Sequence, residues 1–151
     1  MGTNISGATV CGPNVVNMQG TYSYCSLVNG APKCGVKVTD FSFAYAHCPN
    51  IAGAGVCGAE VENMSAAYWN CGKITSGVIG NKVKYADYAY CDTNSTKITY
   101  SGNQIIDVNY AFYNCANAVF TFTNANFSNV KNAAYGFYNC KSLTGNFTLG
   151  N

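Results

Sequence analysis

Apolar side chains recur three and four residues apart in Val61-x-x-Met64-x-x-Ala67-Tyr68-x-x-Cys71-x-x-Ile74, the spacing of a short helical or 3-10 segment with one buried face. The run returns as Val15, Met18, Thr21, Tyr22, Cys25 and Val28, and as Val38, Phe41, Ala44, Tyr45, Cys48 and Ile51. Two later stretches, Ile105 to Ala118 and Val130 to Leu143, repeat it. After the cysteine the period changes to two, most clearly in Ala118-Val119-Phe120-Thr121-Phe122-Thr123 and Leu143-Thr144-Gly145-Asn146-Phe147-Thr148-Leu149. Strict alternation marks a strand with one buried face. It predicts Phe120, Phe122, Leu143, Phe147 and Leu149 inside, with the threonines between them outside.

An aromatic residue stands three before each of six cysteines, in the pairs Tyr22/Cys25, Tyr45/Cys48, Tyr68/Cys71, Tyr88/Cys91, Phe112/Cys115 and Phe137/Cys140, and the cysteines are 23, 23, 20, 24 and 25 residues apart. Units this small bury an apolar face only by stacking on their neighbours. The chain is therefore expected to be one α/β repeat solenoid over residues 1–151, about six coils of 20–25 residues. Each coil carries one short strand and one short helical or 3-10 turn. A right-handed β-helix is the alternative, with strands in place of the turns before each cysteine. Coil four breaks the pattern, since Asn81, Lys84 and Asp87 fall in columns that are apolar or small elsewhere. A local bulge is expected there, or a shift that brings Val83 and Tyr85 inward. Cys11, Cys34 and Cys57 lie 14 residues before Cys25, Cys48 and Cys71 and form a second column. Both ends fall between coils, which predicts an uncapped stack: a piece of a longer array, or a unit that joins head to tail as a filament, envelope or virion component.

The form V-x-x-M-x-x-[A/M]-[F/Y]-x-x-C-x-x-[L/I] resembles the BspA-type leucine-rich repeat over about residues 14 to 149, best at Val61 to Ile74 and next at Ile105 to Ala118 and Val130 to Leu143. Only Leu27, Leu143 and Leu149 are leucines, so the family's Leu-rich strand is here built of Ile, Phe, Val and Gly. The resemblance implies a leucine-rich-repeat-like solenoid. Proteins of that type are typically surface proteins implicated in attachment. It thus also implies a non-enzymatic extracellular or cell-surface adhesion module for a protein or glycan partner.

Composition narrows the chemistry. Charged residues are 9% of the chain, and the net charge of +2 is spread without a basic run, so nucleic-acid binding by counterion release is not expected. No apolar window reaches the 18 or so residues that cross a bilayer, and membrane insertion is not expected. The six acids (Asp40, Glu60, Glu62, Asp87, Asp92, Asp107) scatter over different columns, and His47 is the only histidine. No cofactor, metal site or catalytic constellation is expected from them. Stacked in register, equivalent cysteines are poorly placed to bridge, so the thiols are expected to be free and buried.

Two surfaces remain as candidates. Tyr24, Trp69, Tyr90, Tyr113 and Tyr138 stand one or two residues before signature cysteines, where helical spacing turns them outward. Exposed aromatics with a polar handle suit recognition. On the strand face, Thr75, Lys97, Thr99, Thr121, Thr123, Thr144, Asn146 and Thr148 are expected to form a flat, weakly charged ladder.

Overall fold

The structure, a computed structural model, describes residues 5–144 and 148–149. The chain winds as a parallel β-solenoid of about five turns. One wall is strands: β1 (Gly7–Ala8), β2 (Val28–Asn29), β3 (Ala52–Val56), β4 (Lys73–Ile79), β5 (Lys97–Tyr100) and β6 (Val119–Thr121). β1 pairs with β2, and β3, β4, β5 and β6 pair in sequence order, always in parallel. A bridge from Gly30 to Ile51 continues the ladder between the two sheets. A second line of parallel bridges, Asn17–Asp40–Asn63–Tyr85–Asp107–Asn132, runs along one corner. The sequence asks for this wall: in Lys73–Ile79 the side chains alternate outward and inward, with Ile74, Gly77 and Ile79 buried.

The wall before each cysteine is not helical, and the helical or 3-10 expectation is corrected here. Among the described residues there is no helix. In the first coil Thr21, Ser23 and Cys25 donate their amides to the carbonyls of Met18, Gly20 and Tyr22, three residues back. The intervening amides of Met18, Gly20, Tyr22 and Tyr24 donate instead to Asp40, Ser42, Ala44 and Ala46 of the next coil, at 2.8–2.9 Å. A helix directs every amide back into its own segment; here half of them tie one coil to the next. The same four bonds recur at each coil boundary, ending with Val108, Tyr110, Phe112 and Asn114 donating to Asn132, Ala134, Gly136 and Tyr138. The three-residue apolar spacing therefore records overlapping turns. The solenoid is closer to the β-helix alternative than to a leucine-rich repeat, with turns where that alternative places strands.

These turns need left-handed backbone at two places per coil. Gly20 (φ 62) and Tyr24 (φ 59) sit third in the turns 18–21 and 22–25, and Phe43/His47, Ala66/Asn70, Tyr88/Asp92, Tyr110/Asn114 and Tyr135/Asn139 repeat them. Positive φ at that position defines a type II turn. For a residue with a Cβ it costs about 1–2 kcal/mol, offset by the inter-coil hydrogen bonds.

Coil four is in a different register from its cysteine. Inside the solenoid the stacked rings are Tyr22, Tyr45, Tyr68, Tyr90, Phe112 and Phe137, with centroids 5.2, 5.9, 5.5, 6.3 and 5.1 Å apart. Tyr90 occupies the core position assigned above to Tyr88, and Thr93 occupies the thiol column in place of Cys91. The Thr93 amide bonds to Tyr90 O at 3.2 Å, and its hydroxyl lies 3.6 Å from Cys115 Sγ. The slip of two residues puts Val83, Ala86 and Ala89 inside and relieves Asn81, Lys84 and Asp87 of burial. Val83 is buried, as the shifted reading expected, whereas Tyr85 is 45% exposed.

The interior tyrosines also cross-brace each coil. Tyr22, Tyr45 and Tyr90 donate their hydroxyls to Val10 O (2.8 Å), Lys33 O (2.9 Å) and Val78 O (3.0 Å), and Tyr68 to Val56 O; each carbonyl lies 12 residues earlier, on the opposite wall. The Tyr90 hydroxyl also meets Gly55 O at 2.7 Å and accepts from the Val78 amide at 3.1 Å. Glycine makes room for this ring, because a Cβ on Gly77 would lie 2.8 Å from it. Gly77→Ala is expected to cost about 1–3 kcal/mol, read as a lower melting temperature. Gly72→Ala, whose added carbon would meet only Asn94 at 3.8 Å, should leave the melt unchanged. Of the late-coil residues expected inside, Phe120 is buried, Phe122 and Leu143 pack against the core, Leu149 is 40% exposed, and Phe147 lies outside the described residues.

Candidate functional site

Because the ring and thiol columns face inward, the residues between them are turned out, and on the turn wall these are largely aromatic. Tyr24 and Tyr138 are exposed, and Trp69 and Tyr113 are half-buried, as their placement predicted. Tyr90 is not on this surface: it is wholly buried, for the reason of register given above. The structure joins the four to His47, Tyr88, Tyr110 and Tyr135, which were not anticipated. Tyr24 stacks on His47 (4.5 Å), His47 meets Trp69 (4.5 Å), and Trp69 meets Tyr88 (5.4 Å). Tyr88 stacks on Tyr110 (4.8 Å), Tyr110 on Tyr135 (5.0 Å), and Tyr113 on Tyr138 (4.9 Å). Contacts of Tyr110 with Tyr113 and of Tyr135 with Tyr138 close the set. One stripe of rings thus runs the length of the stack.

The orientation of the rings limits what they offer. Interplanar angles of 14° for Tyr24/His47, 7° for Tyr88/Tyr110 and 12° for Tyr113/Tyr138 mean that neighbours occupy each other's faces. Ring edges and phenol oxygens are what remains for a partner. Beside them runs an amide ladder, in which Asn114 Nδ2 donates to Asp92 Oδ1 (2.7 Å), Asn139 Nδ2 donates to Asn114 Oδ1 (3.1 Å), and Asn70 Nδ2 lies 3.2 Å from His47 Nδ1. Packing against neighbours raises the Tyr88 and Tyr113 phenols, and desolvation lowers His47. The His47 Nε2 atom is enclosed without a hydrogen-bond partner among the described residues, which disfavours the charged ring.

The strand face is not the ladder expected of it. The register skips Thr75 where Gly53/Ala54 meets Ile74/Ser76. Lys97 aligns with Ser76 and Val119, and only Thr99 and Thr121 stand side by side, next to Val78. With Thr123 they line a shallow hollow of about 150 Å³ that also includes Ile79 and Tyr100. Thr144 and Thr148 are exposed beyond the last strand, and Asn146 lies outside the described residues.

Among the described residues the thiols and the acids make contacts within and between coils. All nine cysteines are free. Cys48, Cys71, Cys115 and Cys140 donate Sγ–H to the carbonyls of Tyr22, Tyr45, Tyr90 and Phe112 in the preceding coil, at 2.8–3.1 Å. Burial pushes Cys48 and Cys115 up to about 11 and Cys71 and Cys140 up to about 12. In the second column burial raises Cys34, and raises Cys57 to about 11; the Cys57 sulfur accepts from the Gly80 amide at 3.1 Å, and Cys11 packs against the core. A thiol that holds its proton is a poor nucleophile. Asp40 and Asp107 start their turn walls by accepting the amides of Ser42 and Asn109 at 2.9 Å, a turn role common to Asp and Asn. Glu60 and Glu62 pair with Lys82 and Lys84 on the surface.

Among the described residues no three His, Cys, Asp or Glu side chains cluster to hold a metal ion, and no helix is long and apolar enough to cross a membrane. In comparison with known proteins, the chain matches no family model, no curated protein and no solved structure.

Proposed function

We propose that this chain is a non-enzymatic binding module, displayed outside the cell, that docks a protein partner along the turn wall. One observation carries the reading: an unbroken stripe of eight rings follows the solenoid axis beside an amide ladder. Tyrosine and tryptophan supply large, stiff contact area with a polar end, which is why they dominate interface energetics. A sugar ring stacks on an aromatic face, and here most faces are taken by neighbours. Edges, hydroxyls and amides suit the polar outline of a protein better. The resemblance to BspA-type attachment proteins supports the reading by analogy of the Val, Met, aromatic and Cys columns alone, since the solenoid itself is not a leucine-rich repeat. Burial keeps the thiols of Cys48, Cys71 and Cys115 protonated and so slows their oxidation.

The test is binding of the full chain to arrays of surface and matrix proteins and of glycans. A protein ligand found there should lose at least about 30-fold in affinity on Trp69→Ala plus Tyr110→Ala, a hot-spot-sized loss of about 2 kcal/mol. Lys97→Ala plus Thr121→Ala on the strand face should bind normally. Retention by the stripe variant, binding to glycans alone, or silence on every array would overturn the proposal.

A further inference from the structure

The outer tyrosines are placed for chemistry that the inner ones are denied. Tyr88, Tyr110 and Tyr135 form one column, at 4.8 and 5.0 Å with 7° and 24° between planes, and Tyr113 and Tyr138 form another, at 4.9 Å and 12°. Both columns face solvent, Tyr135 and Tyr138 by more than half of their surface. Equivalent side chains on adjacent coils project the same way, so the ring carbons beside one hydroxyl lie next to those beside the other. We propose that these columns are a site of oxidative cross-linking, in which neighbouring coils are stapled by a carbon–carbon bond between stacked phenols.

The step balances with a peroxide as oxidant, used by a one-electron-oxidising haem peroxidase. Each phenol gives up one electron and its hydroxyl proton. The two phenoxyl radicals join at the carbons ortho to oxygen, and the hydrogen on each joined carbon moves to the oxygen, restoring two phenols. Two hydrogens leave the protein, and one hydrogen peroxide becomes two waters. Three features favour this outcome. The hydroxyls of these five tyrosines have no hydrogen-bond partner within the described chain, so their protons pass to water. The adjacent stacked rings, Trp69 included, let an unpaired electron reach the exposed pairs from anywhere on the stripe. The thiols that would otherwise consume oxidant are mostly buried and protonated.

The inner ladder is the control that the fold supplies. Tyr45 and Tyr68 stack at 5.9 Å and 2°, yet both are wholly buried and their hydroxyls are committed to Lys33 O and Val56 O. Proximity alone would cross-link them too; access and a route for the proton would not.

The experiment treats the dilute full chain with a haem peroxidase and hydrogen peroxide, then reads dityrosine fluorescence, intact mass and cross-linked peptides. The expected product is a monomer lighter by two hydrogens per staple, with Tyr113–Tyr138 and Tyr88–Tyr110 or Tyr110–Tyr135 linked and a raised melting temperature. Tyr113→Phe should abolish the first link and leave the others, since phenylalanine keeps the stack without the hydroxyl. Tyr45→Phe should leave the yield unchanged. Cross-links confined to dimers, no dityrosine at all, or full yield after all five outer tyrosines become phenylalanine would overturn the proposal. The inference does not depend on the docking role, because it is read without a partner.

Discussion

Tyr90→Ala is expected to destabilise the protein by about 3–5 kcal/mol, the usual range for deleting a buried aromatic ring, whereas Tyr88→Ala should cost about 2 kcal/mol, the worth of its two surface ring contacts with Trp69 and Tyr110. The two residues are separated only by Ala89, and a motif search on Tyr-x-x-Cys selects the wrong one. Tyr90 is wholly enclosed between Tyr68 and Phe112. Its loss would empty the space kept open by Gly55 and Gly77 and strand the Gly55 carbonyl and both polar groups of Val78. Urea denaturation of both variants beside the parent measures the difference, with a melting temperature lower by on the order of 10 °C for Tyr90→Ala. Equal effects, or a larger one for Tyr88→Ala, would mean that coil four follows Cys91.

Raising the pH should unfold the chain cooperatively between about pH 9 and 12. The thiols of Cys48, Cys57 and Cys115 move up from 9.0 to about 11, those of Cys71 and Cys140 to about 12, and the Tyr45 phenol from 10.0 to about 12, burial being the largest cause throughout. These groups are neutral when protonated, so the folded state holds protons that the unfolded chain has released. Their contribution is intact below the unfolded values of 9 to 10 and is lost as pH rises through the folded values. Because several groups shift the same way, the loss is shared and steep. Circular dichroism against pH reads it, with thiol labelling in parallel: few thiols react at pH 8 in the folded chain, and all nine react in denaturant. Replacing Cys48, Cys71 and Cys115 together by alanine should move the alkaline midpoint upward relative to the loss it causes at pH 7. A fold that persists to pH 12, or thiols that label freely at pH 8, would contradict the buried columns.

The period and the inward columns were legible because stacking repeats each requirement at every coil: Val38, Val61 and Ile105 are buried for one shared reason. The turn wall was not, since helix, 3-10 segment and overlapping turns all space apolar residues by three. What separates them is the destination of alternate amides, and that destination lies in the next coil. A sequence signal did exist. The second left-handed position reads Tyr24, His47, Asn70, Asp92, Asn114 and Asn139, and His, Asn and Asp are the side chains enriched there. Cys91 hid the register by completing a local Tyr-x-x-Cys while the apolar series Val83, Ala86, Ala89, Tyr90 pointed to Thr93. That error alone placed Tyr90 on the surface. Tyr110 and Tyr135 were missed because their outward direction follows from the left-handed turn, which helical spacing does not contain.

The column Val16, Thr39, Glu62, Lys84, Ile106, Lys131 is linked amide to carbonyl at every step, so its ends are five strand spacings apart, about 24 Å at about 4.8 Å each. Spin labels carried on non-cysteine residues at the exposed ends, Val16 and Lys131, measure that height directly. A narrow distribution near 24 Å, broadened only by the label tethers, is the result expected of coils stacked in register. A distance far outside it, or a spread spanning tens of ångströms, would contradict the stack.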